Sequence, residues 1–199
     1  MISQIGRNCS YTEYVMNWQT KRTGNMQPTR WNVITGAPSS GKTAVIDELF
    51  RRGYRVVPEV ARALIDRELD RGRTLQEIKS DIHWFERTIL MEKVRIEADL
   101  STGETVFLDR AIPDSIAYYQ IEGLDPAEAQ AETGRRRYRR VFLLDRLDFR
   151  ADGVRSENNR KAQLIEDLLG SAYRRLAYPV IRVPVLPVQE RADWILKRI

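Results

Sequence analysis

Trp31-Asn32-Val33-Ile34-Thr35-Gly36-Ala37-Pro38-Ser39-Ser40-Gly41-Lys42-Thr43 runs directly into Ala44-Val45-Ile46-Asp47-Glu48-Leu49-Phe50. The first five residues are a short apolar run ending at glycine, which predicts a buried strand, and the last seven read as the start of a helix. Between them stands Gly, four residues, Gly-Lys-Thr. Gly36 and Gly41 open backbone dihedrals closed to other residues. Loop amides and a helix start are both electropositive, so such a turn wraps a phosphate group. In that arrangement Lys42 reaches the β- and γ-phosphates of a nucleotide and Thr43 offers its hydroxyl to Mg²⁺. Strand before and helix after is the context the pattern requires. Gly36, Ala37, Pro38, Ser39, Ser40, Gly41, Lys42 and Thr43 are therefore the expected nucleotide-binding residues, with ATP and Mg²⁺ as cofactors.

Working outward, Arg55-Val56-Val57, Thr105-Val106-Phe107-Leu108, Val141-Phe142-Leu143-Leu144 and Val180-Ile181-Arg182-Val183 read as further short strands. Helical spacing of apolar residues runs over 59–70, 75–100, 114–121, 126–139, 157–176 and 190–199. Five apolar strands separated by helices predict an α/β fold: a parallel sheet covered on both faces, a three-layer sandwich. Neither repeats nor low-complexity linkers mark a second domain. Residues 30–199 are expected to form one domain. Residues 1–29 carry no clear period and are expected to be an accessory helix or a mobile arm.

Strand ends supply the remaining candidates, because the carboxyl edge of a parallel sheet is where ligands bind. Asp109 follows the third strand, where a carboxylate can hold Mg²⁺ or its water, accept a proton from a substrate hydroxyl, or simply cap a helix or pair with Arg110. Glu59 follows Val56-Val57-Pro58 and is a candidate base or substrate clamp; Arg62, one helical turn on, can hold an anion or pair with Glu59. Asp145 ends the fourth strand, with a cap or a salt bridge to Arg146 or Arg150 as its structural alternative. The polar stretch 148–157 between strand and helix suits a lid, whose Arg150 and Arg155 would neutralise a transferring phosphoryl group, with Arg160 assisting. His83 beside Trp84 and Phe85 reads as a packed or surface residue.

Composition narrows the class. The chain has 199 residues, 42% hydrophobic and 31% charged, as an ordinary globular protein does. It has no apolar run long enough for a membrane-spanning helix. The single cysteine, Cys9, excludes an intramolecular disulfide, and the first residues lack the order of a signal peptide, so a cytoplasmic protein, monomer or homodimer, is the expectation. Net charge is +5, with 27 arginines and six lysines. That balance permits an anionic ligand without establishing nucleic acid, since only Tyr138 interleaves the Arg135–Arg140 cluster with an aromatic ring. The cluster itself is expected to be a solvated helix end leading into a strand.

With those residues in hand, 30–199 resembles the AAA_28 family, a NadR-like group of P-loop ATPases and kinases that includes the ribosylnicotinamide kinase domain. More remotely it is similar to thymidylate and deoxynucleoside kinases. The resemblance rests on residues 36–43, on Val57-Pro58-Glu59-Val60-Ala61-Arg62, on Phe107-Leu108-Asp109-Arg110 and on Asp152-Gly153-Val154-Arg155. It implies a P-loop kinase core with strand order 2-3-1-4-5, Glu59 to Arg62 in the acceptor region, Asp109-Arg110 at the Walker B position, and Arg150 with Arg155 in the lid. The sequence offers no counterpart of the second domain, sensor or trans-acting arginine finger of ring-forming AAA+ machines.

Two functions fit. One is an ATP-dependent small-molecule kinase or ATPase, in which Lys42, Thr43 and Mg²⁺ hold ATP, Asp109 or Glu59 orients an unidentified acceptor hydroxyl, and Arg110, Arg150 and Arg155 complete the catalytic set. The other is a nucleotide-dependent switch, run by ATP or GTP, that offers a surface to a protein or a lipid headgroup. No Asn/Thr-Lys-x-Asp motif for reading guanine is present, which favours ATP.

Overall fold

The computed structural model describes residues 26–147 and 156–199. Its elements, in chain order, are β1 (Gln27–Pro28), β2 (Trp31–Thr35), α1 (Lys42–Arg51), β3 (Arg55–Val57), α2 (Val60–Asp70), α3 (Leu75–Ser80), α4 (Ile82–Asp99), β4 (Val106–Asp109), α5 (Ile112–Ile121), α6 (Ala127–Glu132), β5 (Arg136–Arg137), β6 (Arg140–Leu144), α7 (Ser156–Arg175), β7 (Val180–Val183) and α8 (Val188–Leu196). Five strands form a wholly parallel sheet in the order β3-β4-β2-β6-β7. Counted along the chain this is 2-3-1-4-5, the order the resemblance implies.

Every residue of β2 and β4 is buried, as expected where a parallel sheet is covered on both faces. Alternation divides them between two apolar layers. Trp31, Val33, Val106, Leu108 and Val141 meet Tyr173 of α7 and Tyr178 beyond it. Ile34, Phe107, Phe142 and Leu144 meet Val45, Ile46 and Leu49 of α1 and Ala192 and Ile195 of α8. Phe107 and Phe142 are fully buried, and truncating either to alanine would cost about 3–5 kcal/mol.

Register brings the functional edge together. Ile34 pairs with Asp109, Thr35 with Leu143, and Val57 with Leu108. Gly36, Glu59, Arg110 and Asp145 therefore leave the sheet from the same edge.

Two helical expectations need correction. The stretch 75–100 is two helices, because the Asp81 side chain accepts from Trp84 N and starts α4 afresh. The expected helix over 126–139 stops at Glu132, and the arginine cluster is not a helix end. Gly134 turns the chain at φ 95°, and Arg136–Arg137 pair in parallel with Gln27–Pro28. A helix there would have set Arg135 against Arg139 and Arg136 against Arg140, each a like-charge pair one turn apart.

Candidate active site

The loop from Gly36 to Thr43 joins β2 to α1. Gly36 has φ 151°, and a Cβ there would lie 2.9 Å from Ser40 Oγ and 3.0 Å from Leu144 O. Gly41, at φ 81°, is the N-cap of α1; no side chain caps this helix and its first turn holds no acid. The amides of that turn are left to an anion. Lys42 is buried, and its Nζ donates to Gly36 O at 2.9 Å and Ala37 O at 3.0 Å. Burial, helped by the charge of Arg110, lowers its pKa to about 8. Arg191 of α8 braces the loop from behind, donating to Ser40 O at 2.6 Å, Asp145 O at 3.2 Å and Pro184 O at 2.9 Å. Thr43 is exposed at the helix start.

Asp109 and Arg110 follow β4, and both are buried. Asp109 Oδ1 has no hydrogen-bond partner among the described residues. Burial raises the Asp109 pKa to about 6, against the pull of Arg110. Arg110 adopts φ 67°, a left-handed conformation that costs a non-glycine residue about 1 kcal/mol. Its side chain reaches three ways: Nη1 donates to Gly36 O at 3.0 Å, Nε donates to Glu59 Oε1 at 3.0 Å, and the guanidinium lies 5.1 Å from the centre of the Tyr118 ring. Glu59 thus pairs with Arg110 and not with Arg62, which is exposed. Burial alone would raise the Glu59 pKa, but the charge and hydrogen bond of Arg110 outweigh it and hold the carboxyl below its usual range.

Behind Arg110 lies a polar interior that sequence reasoning missed. Asp114, fully buried on α5, accepts from Thr35 Oγ1, from Ala111 N at 2.9 Å and from the Tyr173 hydroxyl. On α4, Glu86, Lys93 and Glu97 share the inward stripe with Leu90, and all are buried. Lys93 Nζ donates to Ser115 Oγ at 3.1 Å. The Tyr138 hydroxyl donates its one hydrogen to the Glu97 carboxylate, lying 3.0 Å from each oxygen, and burial raises the Glu97 pKa to about 7. Glu86 bonds to no described residue, and burial raises its pKa to about 6. The legible signal was spacing: positions 86, 93 and 97 fall on the same helical face as 89 and 90.

Other candidates resolve simply. Asp145 pairs with Arg182, and Arg146 pairs with Glu166. His83 is exposed; Phe85 is core, and Trp84 packs beside it under the Arg73 guanidinium, 4.9 Å from the ring centre. Arg160 is exposed on the first turns of α7. Arg150, Arg155 and Cys9 lie outside the described residues. Among the described residues no group of three or more His, Cys, Asp or Glu could hold a metal ion. Nor, among them, is any helix long and apolar enough to cross a membrane.

A family model, AAA_28 (AAA domain), matches residues 31–191, which span the whole sheet and the loop just described. The chain belongs to the AAA_28 family. No curated protein matches it. Among solved structures, this AAA_28 protein is similar to deoxyadenosine kinase from M. mycoides, with products dCMP and a flexible dCDP bound, at 14% identity and a TM-score of 0.58 over 84% of this chain and 97% of that one. Thymidylate kinase from Ehrlichia chaffeensis gives 16% identity and a TM-score of 0.56 over 87% and 97%. Thymidylate kinase from Candida albicans gives 16% and 0.52 over 85% and 90%. At these identities the likeness carries the fold: the AAA_28 protein has the P-loop, kinase-type architecture.

Proposed function

We propose that this protein transfers the γ-phosphate of ATP to a hydroxyl of a small-molecule acceptor. The observation that carries this reading is Arg110. One guanidinium bonds both to Gly36 O, where the phosphate loop begins, and to Glu59, on the neighbouring strand end. Donor side and acceptor side are thereby tied together at one charged group.

In this reading the amides of residues 36–43 cradle the phosphates. Lys42 exchanges its bonds to Gly36 O and Ala37 O for phosphate oxygens. The protein's own groups suit Mg²⁺: the Thr43 hydroxyl and the unbonded Asp109 oxygen are hard oxygen donors, and Mg²⁺ ordinarily takes one or two carboxylates beside substrate phosphates. Bound there, the ion would neutralise charge on the transferring phosphoryl group. Glu59, kept ionised by Arg110, accepts the hydrogen of the acceptor hydroxyl as its oxygen attacks phosphorus and ADP leaves. Lys93 and Glu86 offer charge to the acceptor from α4.

The test is a screen of nucleosides, nicotinamide riboside, sugars and phospholipid headgroups with labelled ATP. Transfer of label to one class, abolished by Lys42→Ala, is the expected result. Tight nucleotide binding with no acceptor labelled would overturn the proposal and favour a nucleotide-operated switch.

A further inference from the structure

Arginine is abundant in this chain, and most clusters of it are neutralised locally. Glu48 pairs with Arg51 and Arg52, Glu68 with Arg71 and Arg73, and Glu166 with Arg146 and Arg182. The segment 136–140 departs from this. Arg135 just before it pairs with Glu132, but Arg137, Arg139 and Arg140 make no ion pair with a carboxylate among the described residues. Their bonds go to backbone carbonyls: Arg137 to Leu176 O at 3.0 Å and Ala177 O at 2.6 Å, Arg140 to Arg198 O at 3.2 Å and Arg139 O at 3.0 Å. The Arg139 guanidinium bonds to no described residue.

Arg137, Arg139 and Arg140 all line one cavity of about 320 Å³, with Pro28, Tyr178 and Pro179 as its apolar wall. Among the described residues no carboxylate lines it. The volume falls within the range of small-ligand clefts, ~300–1,000 Å³. Its walls are held in place. The Arg137 guanidinium stacks 4.0 Å from the centre of the Tyr178 ring, while the Tyr178 hydroxyl accepts from Tyr138 N and donates to Arg136 O. Thr29, Arg140 and Pro179 stand at the amino ends of β2, β6 and β7. The phosphate loop leaves the opposite ends, roughly 16 Å away for a five-residue strand.

We propose that this cavity is a second anion site, separate from the phosphate loop, and that it takes a phosphate monoester. Guanidinium forks match phosphate oxygens in pairs, and a dianionic monoester balances more of the three positive charges than a carboxylate can. The pyrrolidine and tyrosine walls suit the short apolar stem that carries the ester. Such a ligand is either a free metabolite or a lipid headgroup.

The full chain, its phosphate loop saturated with a non-hydrolysable ATP analogue and Mg²⁺, is titrated with glycerol 3-phosphate by calorimetry, with glycerol as control. In parallel it is floated with phosphatidylcholine vesicles carrying phosphatidic acid or, at equal mole fraction, phosphatidylserine. Arg139→Glu and the double variant Arg139→Ala/Arg140→Ala are the probes; the first replaces a side chain with no hydrogen-bond or ion-pair partner among the described residues. Both should bind the ATP analogue as the parent does and lose about tenfold or more in monoester affinity. Binding of glycerol 3-phosphate with that loss assigns a soluble ligand. Selective binding to phosphatidic acid vesicles with that loss assigns a headgroup. Equal binding to both vesicle types, binding untouched by the substitutions, or no binding of either monoester overturns the proposal.

Discussion

Replacing Asp109 by asparagine should make the ligand-free protein more stable and the enzyme far slower. The carboxylate is buried and one of its oxygens has no partner among the described residues. Its pKa moves from 3.8 to about 6, chiefly through burial. At about 1.4 kcal/mol per unit, the ionised form costs the fold about 3 kcal/mol. That shift already contains the attraction of Arg110 and Lys42; asparagine removes the cost but buries an amide NH₂ in place of a carboxylate oxygen, so a net gain of about 1–2 kcal/mol is expected at pH 8. Because the folded protein keeps the Asp109 proton up to about pH 6 while the unfolded chain releases it near 3.8, the wild-type protein loses stability as pH rises between those values. The advantage of the variant should therefore be present at pH 8 and largely gone at about pH 4. Turnover should fall about 10²–10⁴-fold, the scale of a lost acid–base or metal-positioning group, with nucleotide affinity changed less than about tenfold. Urea unfolding at both pH values, nucleotide titration and turnover on one preparation decide the matter. A variant less stable at pH 8 would show that Asp109 is a structural cap or partner of Arg110. Turnover at the wild-type rate would pass the central role to Glu59.

Lys42→Ala should weaken nucleotide binding and slow transfer together, because the ammonium meets both ground-state and developing phosphate charge; binding titration and initial rates check this. In the unsubstituted protein, affinity should also fall as pH rises through about 8, where Lys42 loses its proton. Glu59→Gln should leave nucleotide affinity within about threefold and lower kcat about 10²–10³-fold; an unchanged kcat would remove Glu59 from the chemistry. Arg191→Met strips donors from three carbonyls and should cost about 2–4 kcal/mol in urea unfolding, with loosened nucleotide binding as the loop loses its brace.

The architecture was legible because its signals are local. Strands buried on both faces are continuous apolar runs, and Gly36 to Thr43 spells its own backbone geometry within eight residues. Glu59 and Asp109 were found by position alone, at the ends of such runs. What escaped notice depends on partners far apart in the chain: Arg110 meets Glu59 across 51 residues, Lys93 meets Ser115 across 22, and Arg191 meets Ser40 across 151. Nothing local marks Asp114, because an acid in a first helical turn is already favourable to the helix dipole. The arginine cluster was misread as helical because nothing local announces that Gln27 and Pro28 will pair beside it.

In the proposed transfer, donor and acceptor recognition would use different chemistry, and that predicts where substitutions separate them. In the proposed reaction the phosphates would meet mostly backbone amides of one loop, whereas the acceptor would face side chains from several elements: Glu59 after β3, Arg110 after β4, Lys93 and Glu86 on α4, and Tyr118 on α5. Glu86 is the informative one. It is 6% exposed, bonds to no described residue and has its pKa pushed up to about 6, mainly by burial. A carboxylate in that condition weakens a fold unless a ligand supplies the missing donor. Glu86→Gln keeps the shape, removes the charge and should raise stability above pH 6. If Glu86 only fills space, that is its whole effect. If it bonds the acceptor, KM for the acceptor rises about tenfold or more while KM for ATP stays put, because no part of α4 bonds to the phosphate loop. A parallel rise in both KM values would mean the substitution has disturbed Arg110, and with it the link between the two halves of the site.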